Sequence, residues 1–180
     1  MSSRIRLITP GDCEALAELQ VRNRDFLSPW DPIRSDDYFT VEGQRAAVEA
    51  VLARHGRGDA MPWVVLDDDG TVAGRLTLSG ITRGPFQSCS MGYWLSEDQT
   101  GKGLATEAVR AAVDSAYTEL KLHRVQAETL VANVASQNVL ARTGFQQYGL
   151  APKYLKIAGT WQDHLMFQHL NAASGKEIVG

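Results

Sequence analysis

At 180 residues, 44% hydrophobic and 22% charged, the chain is long enough to bury one core and short for two, with the balance of an ordinary folded domain. A formal net charge of −3 argues against the broad basic face that general nucleic-acid binding needs. The two cysteines, Cys13 and Cys89, lack metal-ligand spacing and companions, which disfavours a zinc site or a disulfide scaffold and favours buried small residues. Residues 1–7 alternate arginines with aliphatics instead of forming a signal-peptide core. No apolar run approaches the ~20 residues that span a bilayer. The expectation is a cytoplasmic protein without membrane contact.

Ile5 and Leu7 alternate with arginines and predict a short strand. Thr9, Pro10, Gly11 and Asp12 supply turn and cap for a helix over 12–23, with Ala15, Leu16 and Leu19 at helical spacing. An aromatic and proline-punctuated loop runs through Phe26, Pro29, Trp30 and Pro32. A second helix follows over 41–55, ended by Gly56 and Gly58. Residues 63–66 read as a buried strand, and Asp67, Asp68, Asp69 and Gly70 turn the chain into a partner strand over 71–79. The three aspartates lack the further ligands and distal glutamate of a calcium loop, so a solvated turn is the better reading. Arg83 to Phe86 is a tight turn, and 88–95 is the next strand.

In the helix predicted over 104–120, Ala108, Ala112 and Ala116 repeat every fourth residue beside Val109 and Val113, a face suited to close packing on a sheet. A strand over 124–131, a helix over 136–143 ended at Gly144 and Phe145, and strands over 154–157 and 161–170 complete the pattern. Residues 171–180 read as a frayed tail. The order β-α-α-β-β-β-α-β-α-β-β describes one α+β domain over 1–170 with a mostly antiparallel sheet.

The densest chemical signal lies between Leu95 and the helix opening at Leu104, where the chain reads Gln99-Thr100-Gly101-Lys102-Gly103-Leu104-Ala105-Thr106. A glycine-rich turn at a helix N-terminus presents unpaired backbone N–H groups at the positive end of the helix dipole, a cradle for phosphate. No Gly-Lys-Ser or Gly-Lys-Thr occurs, so the nucleotide-hydrolysing phosphate loop does not fit. A purely structural glycine turn is the competing reading.

Together with Asn133-Val134-Ala135-Ser136-Gln137-Asn138 and the run to Gly144-Phe145, this loop resembles the GNAT superfamily of N-acetyltransferases. Gly103 and Ala105 match its Gln/Arg-x-x-Gly-x-Gly/Ala signature, while Thr100 stands where Gln or Arg is usual and Gln99 falls one place early. Leu122-His123-Arg124-Val125, the Asn133-x-x-Ser136 pair, Pro152 to Ile157 and Gly159 to His164, with Arg24, Phe26, Leu27 and Trp30, are similar to the RimJ/RimL branch that acetylates ribosomal-protein alanine termini.

The resemblance implies an acyl-CoA N-acyltransferase fold: a mostly antiparallel mixed sheet of six to seven strands flanked by about four helices. It implies acetyl-CoA as co-substrate, no metal, and direct transfer to a primary amine. The diphosphate then lies on the main chain of 99–106, including Lys102, and the backbone of Leu95 pairs with pantetheine and polarises the thioester carbonyl. Asn133 and Asn138 add cofactor contacts; a loop-closing role is the rival for Asn133. Ser136 stands near the departing sulfur as donor or water-orienting group, or is a plain N-cap. Leu140 occupies the position where many relatives carry a tyrosine acid. Glu128 is the expected general base, with a solvent-facing carboxylate as the equal alternative; Asp163 and His164 are less favoured. Phe26, Trp30, Tyr38 and Phe39 are expected to form the acceptor groove with Tyr154 opposite, against ordinary core packing. The leading acceptor is a protein N-terminal α-amine, whose pKa of roughly 7.7–8.0 needs less help than a lysine near ~10.4. A small amine such as an antibiotic or polyamine is the rival, which Asp31, Asp36, Asp37 and Glu42 leave possible. A non-catalytic acyl-CoA-binding module is the alternative outside enzymes. Monomer and homodimer both remain open.

Overall fold

The computed structural model describes residues 4–173. The elements are β1 (Ile5–Leu7), α1 (Cys13–Arg22), α2 (Arg24–Leu27), α3 (Val41–Gly56), β2 (Ala60–Leu66), β3 (Val72–Thr82), β4 (Ser88–Leu95), α4 (Leu104–Thr118), β5 (Arg124–Leu130), α5 (Val134–Arg142), β6 (Gln146–Ile157) and β7 (Thr160–Leu170). The strands form one seven-stranded sheet in the order β1-β2-β3-β4-β5-β7-β6. Every neighbouring pair is antiparallel except β4 with β5.

Each sheet face carries its own core. The alanine and valine stripe of α4 packs Val109, Ala112 and Ala116 on Leu76, Leu78, Met91, Val125 and Phe167, with Leu140 of α5 joining them. On the opposite face α1 and α3 bring Leu16, Val48 and Val51 against Val64 of β2. Small residues on α4 let the helix sit close to the sheet, where dispersion contacts are densest. Cys13 and Cys89 are both buried and free.

The sequence pattern shortens several elements. β2 begins at Ala60 and β3 runs past Gly80 to Thr82. Five α-helices are present among the described residues, because a single turn, α2, stands where a loop was expected. The largest difference is β6, which starts at Gln146, where the pattern placed it at 154. Register shifts between Gln147 and Gly149 and between Ala151 and Leu155 interrupt its alternation. Such bulges, with Pro152 and a positive φ at Lys153, erase the period-two signal that marks a strand. Asn171 is tied back by its N–H to the carbonyl of His123 at 2.9 Å; the rest of the expected tail, 174–180, lies outside the described residues.

Candidate active site

The site begins where two strands part. β4 and β5 pair only from Ser88↔Arg124 to Ser90↔Gln126, while β4 stays on β3 as far as Gly74↔Leu95. The N–H of Ser96 donates to the carbonyl of Ala73 at 2.8 Å. Antiparallel pairing alternates residue by residue, so Trp94 and Gly92 spend their backbone groups on β3. Those of Leu95, Tyr93 and Met91 therefore face the gap beside β5. Gly74 makes the close approach possible: a Cβ there would stand 2.2 Å from the Trp94 carbonyl oxygen.

Past β4, buried Asn23 fixes the loop. Its amide nitrogen donates to the carbonyl of Leu19 at 2.8 Å and to Ser96 Oγ at 3.0 Å, and its Oδ1 accepts the N–H of Glu97 at 2.8 Å. Gly101 and Gly103 follow at φ +75° and +84°, with nothing within 4 Å of a Cβ on either. The left-handed backbone favours glycine, and the empty space above it leaves the main chain open. The first bond of α4 runs from the N–H of Glu107 to the Gly103 carbonyl at 3.1 Å. The N–H groups of Leu104, Ala105 and Thr106 consequently have no partner in the helix. They open into a groove of about 380 Å³, lined by 99–106 apart from Lys102, together with Leu95, Asn133, Ser136 and Asn138. Lys102 is exposed and points its ammonium at Gln99 Oε1, 3.3 Å away. Arg142, in the last turn of α5, also lines the groove, although no local sequence pattern marks it.

A second cavity of about 550 Å³ lies toward the α1/α3 face. The two hollows share Leu27, Trp30, Tyr93, Trp94, Asn133 and Ser136, so they meet at the β4–β5 gap. At this junction Asn133, not Ser136, caps α5: its Oδ1 accepts the N–H of Ser136 at 3.1 Å. The Ser136 hydroxyl is thereby free of capping and lies 2.9 Å from the hydroxyl of Tyr93. Burial pushes the Tyr93 phenol up to about 12, against a smaller downward pull from Ser136. The sequence pattern marks Tyr93 only as part of a strand. Leu140 is fully buried in the core beneath.

Glu128 lies on the wall of the second cavity instead of facing solvent. Ser90 Oγ donates to its Oε1 at 3.2 Å. Burial raises its carboxyl pKa, and the Ser90 bond and the nearby His164 offset this in part. Asp163 is spent elsewhere, its Oδ1 accepting the N–H of Lys153 at 2.8 Å. His164 lines the second cavity, its Nδ1 3.0 Å from the Gln162 carbonyl and its ring edge-on to Tyr154.

The expected acceptor aromatics are dispersed. Tyr38 lines the second cavity, Trp30 both cavities, and Phe26 the glycine-loop groove. Phe39 sits under the Arg24 guanidinium at 4.2 Å. Tyr154 lines neither hollow; Leu155 and Ile157 supply the β6 wall. The arrangement offers main-chain donors for a diphosphate, a free strand edge for an amide-bearing arm, two hydroxyls where the hollows join, and a carboxylate on the wall of the second cavity.

The comparisons with known proteins agree with this geometry. Residues 3–146 match the acetyltransferase (GNAT) domain model. A probable N-acetyltransferase of Bacillus subtilis, YjcK, is 39% identical over 93% of this chain and 93% of its own. The structure of ribosomal-protein-S5-alanine acetyltransferase from Vibrio fischeri superposes with a TM-score of 0.88 at 36% identity, over 93% of this chain and 92% of that one. RimJ of Mycobacterium smegmatis, in complex with CoA-disulfide, gives 0.89 at 30% identity over 96% and 83%. The chain belongs to the GNAT family, within its RimJ/RimL group, and is an N-acetyltransferase.

Proposed function

We propose that this enzyme transfers the acetyl group of acetyl-CoA directly to the N-terminal α-amine of a protein, a ribosomal protein in the cytoplasm being the partner that the similarity favours. The observation that carries the reading is the meeting of two hollows at Tyr93, Asn133 and Ser136. One has the donors a diphosphate needs, and the other holds a half-buried carboxylate. Acetyl-CoA supplies an activated acyl carbon and a thiol leaving group. The residues present fit it: open glycine backbone, the unpartnered amides of Leu104 to Thr106, and the positive end of α4. Gln99, Thr100 and Asn138 border the same groove, with Lys102 at its rim.

The N–H of Leu95, turned toward the gap, is the donor placed for the developing oxyanion; such a group contributes about 3 kcal/mol of transition-state stabilisation. Glu128 accepts the proton of the attacking amine, directly or through one water. Its raised pKa brings it nearer to neutrality, where a general base works best. Ser136 donates to the departing sulfur, and Tyr93 orients Ser136. A phenol held at about 12 is too weak an acid to be the proton's main source, so solvent restores the thiol. Trp30 and Tyr38 border the path of the acceptor. Against a polyamine acceptor, only Asp31 of the four candidate carboxylates lines the second cavity, where Arg34, Arg54 and Arg75 also lie.

The test is incubation with acetyl-CoA and a panel of alanine-starting ribosomal-protein peptides, polyamines and aminoglycosides, with mass spectrometry locating the acetyl group. Label on a peptide α-amine is the expected result; label confined to a small amine overturns the acceptor assignment.

A further inference from the structure

The acceptor cavity carries charges that acetyl transfer itself does not use. Arg34 from the loop after α2, Arg54 from α3 and Arg75 from β3 line it against the carboxylates of Asp31 and Glu128. Among the described residues the Arg75 guanidinium makes no hydrogen bond or ion pair, although the residue is half-buried. Arg34 lies over the Tyr38 ring at 4.6 Å, and its charge bears both on the Asp31 carboxylate and, in opposition, on Arg75. Two cations held in one another's field, one of them desolvated and without a carboxylate, form an arrangement that an anion completes.

We infer that Arg75 and Arg34 read a carboxylate near the start of the acceptor chain, so that favoured substrates carry Asp or Glu a few residues after the reactive amine. This rests on the α-amine reading above and narrows its substrate class. The spacing agrees with it. Arg75 pairs with Trp94, and Thr77 with Gly92, on the sheet face that Glu128 shares with Ser90. Because β4 and β5 part beyond Ser90, Arg75 and Glu128 are separated by two residues along and by more than two ordinary strand spacings across, at least about 12 Å. An extended peptide needs at least roughly three to four residues to cover that distance. A polyamine has nothing to offer these arginines and is repelled by them.

The experiment compares short alanine-starting peptides in which one glutamate replaces glutamine at successive positions after the first. Glutamate near the third or fourth position is expected to raise kcat/KM roughly tenfold, through KM, over the all-glutamine peptide. Arg75→Gln removes that gain, and Arg34→Gln, in an exposed loop, reduces it. Arg75→Glu turns the preference toward a lysine at the same position. Calorimetric affinity for CoA within about twofold of the parent reports that each variant is folded. Peptides acetylated at one common kcat/KM overturn the inference and leave α-amine transfer standing; so does a glutamate gain that survives in both Arg75→Gln and Arg34→Gln. Acetylation of no peptide at all overturns the α-amine reading itself.

Discussion

The two hollows of this enzyme are built by opposite means. The groove proposed for the cofactor is lined by Leu95, by residues 99–106 apart from Lys102 and by α5, and the donors it offers a diphosphate are main-chain amides. The acceptor cavity is assembled from side chains on α3, β3, β4, β5, β6, β7 and the loop after α2. Backbone amides are the same whatever the side chain, so on this reading the groove does not depend on the side chain of Thr100. On the proposed reading the cavity's selectivity, in contrast, resides in side-chain identity at Asp31, Arg34, Arg75 and Glu128.

Substitutions that damage one hollow and spare the other test this division. Glu128→Gln is expected to have the largest effect, lowering kcat by roughly 10²–10⁴ with unchanged calorimetric affinity for CoA. The base must be ionised to accept a proton, and burial favours its protonated form. The parent enzyme's kcat/KM therefore rises with pH along a limb displaced above the ordinary carboxylate range, and the variant loses that limb. Gly103→Asp does the reverse. It sets a side chain at φ +84° and a negative charge where a diphosphate binds, weakening CoA about a hundredfold. Gly103→Asn, which bears only the backbone strain of about 1–2 kcal/mol, loses much less.

Ser136→Ala acts at the junction and is expected to lower kcat about tenfold without moving CoA affinity; Tyr93→Phe, which removes one orienting hydrogen bond of about 1 kcal/mol, lowers it about fivefold. Thr100→Ala gives the smallest change. The hydroxyl of Thr100 only closes its own turn on the Glu97 carbonyl at 2.7 Å, so CoA affinity shifts by no more than about 0.5 kcal/mol. A loss of tenfold there would move the grip from backbone to side chain.

The same contrast explains what was legible in the sequence. The glycine loop could be read because strand, turn and helix start are contiguous and each has its own local signal. Ser136 could be placed for the same reason, but its partner could not: Tyr93 meets it across 43 residues, and no local pattern reports such a contact. Asn133 took the capping role because the helix opens at Val134, earlier than the pattern of apolar residues implied. Tyr154 stands behind the cavity wall, edge-on to His164, because the register shift between Ala151 and Leu155 breaks the alternation that decides which residues face the cavity. Phe26 followed the single turn of α2 into the groove. The parting of β4 and β5 after Ser90 has no compositional mark at all, since a ladder stops where its neighbours pull it apart.

The central claim is that the two hollows act as one site through the gap beside Leu95. A conjugate joining CoA sulfur to the α-nitrogen of an alanine-starting acidic peptide, through an acetyl-length linker, tests it most directly. Calorimetry should find it bound at least about a hundredfold more tightly than CoA alone, with most of that gain lost in Glu128→Gln and Arg75→Gln. A conjugate that binds no more tightly than CoA would contradict the account.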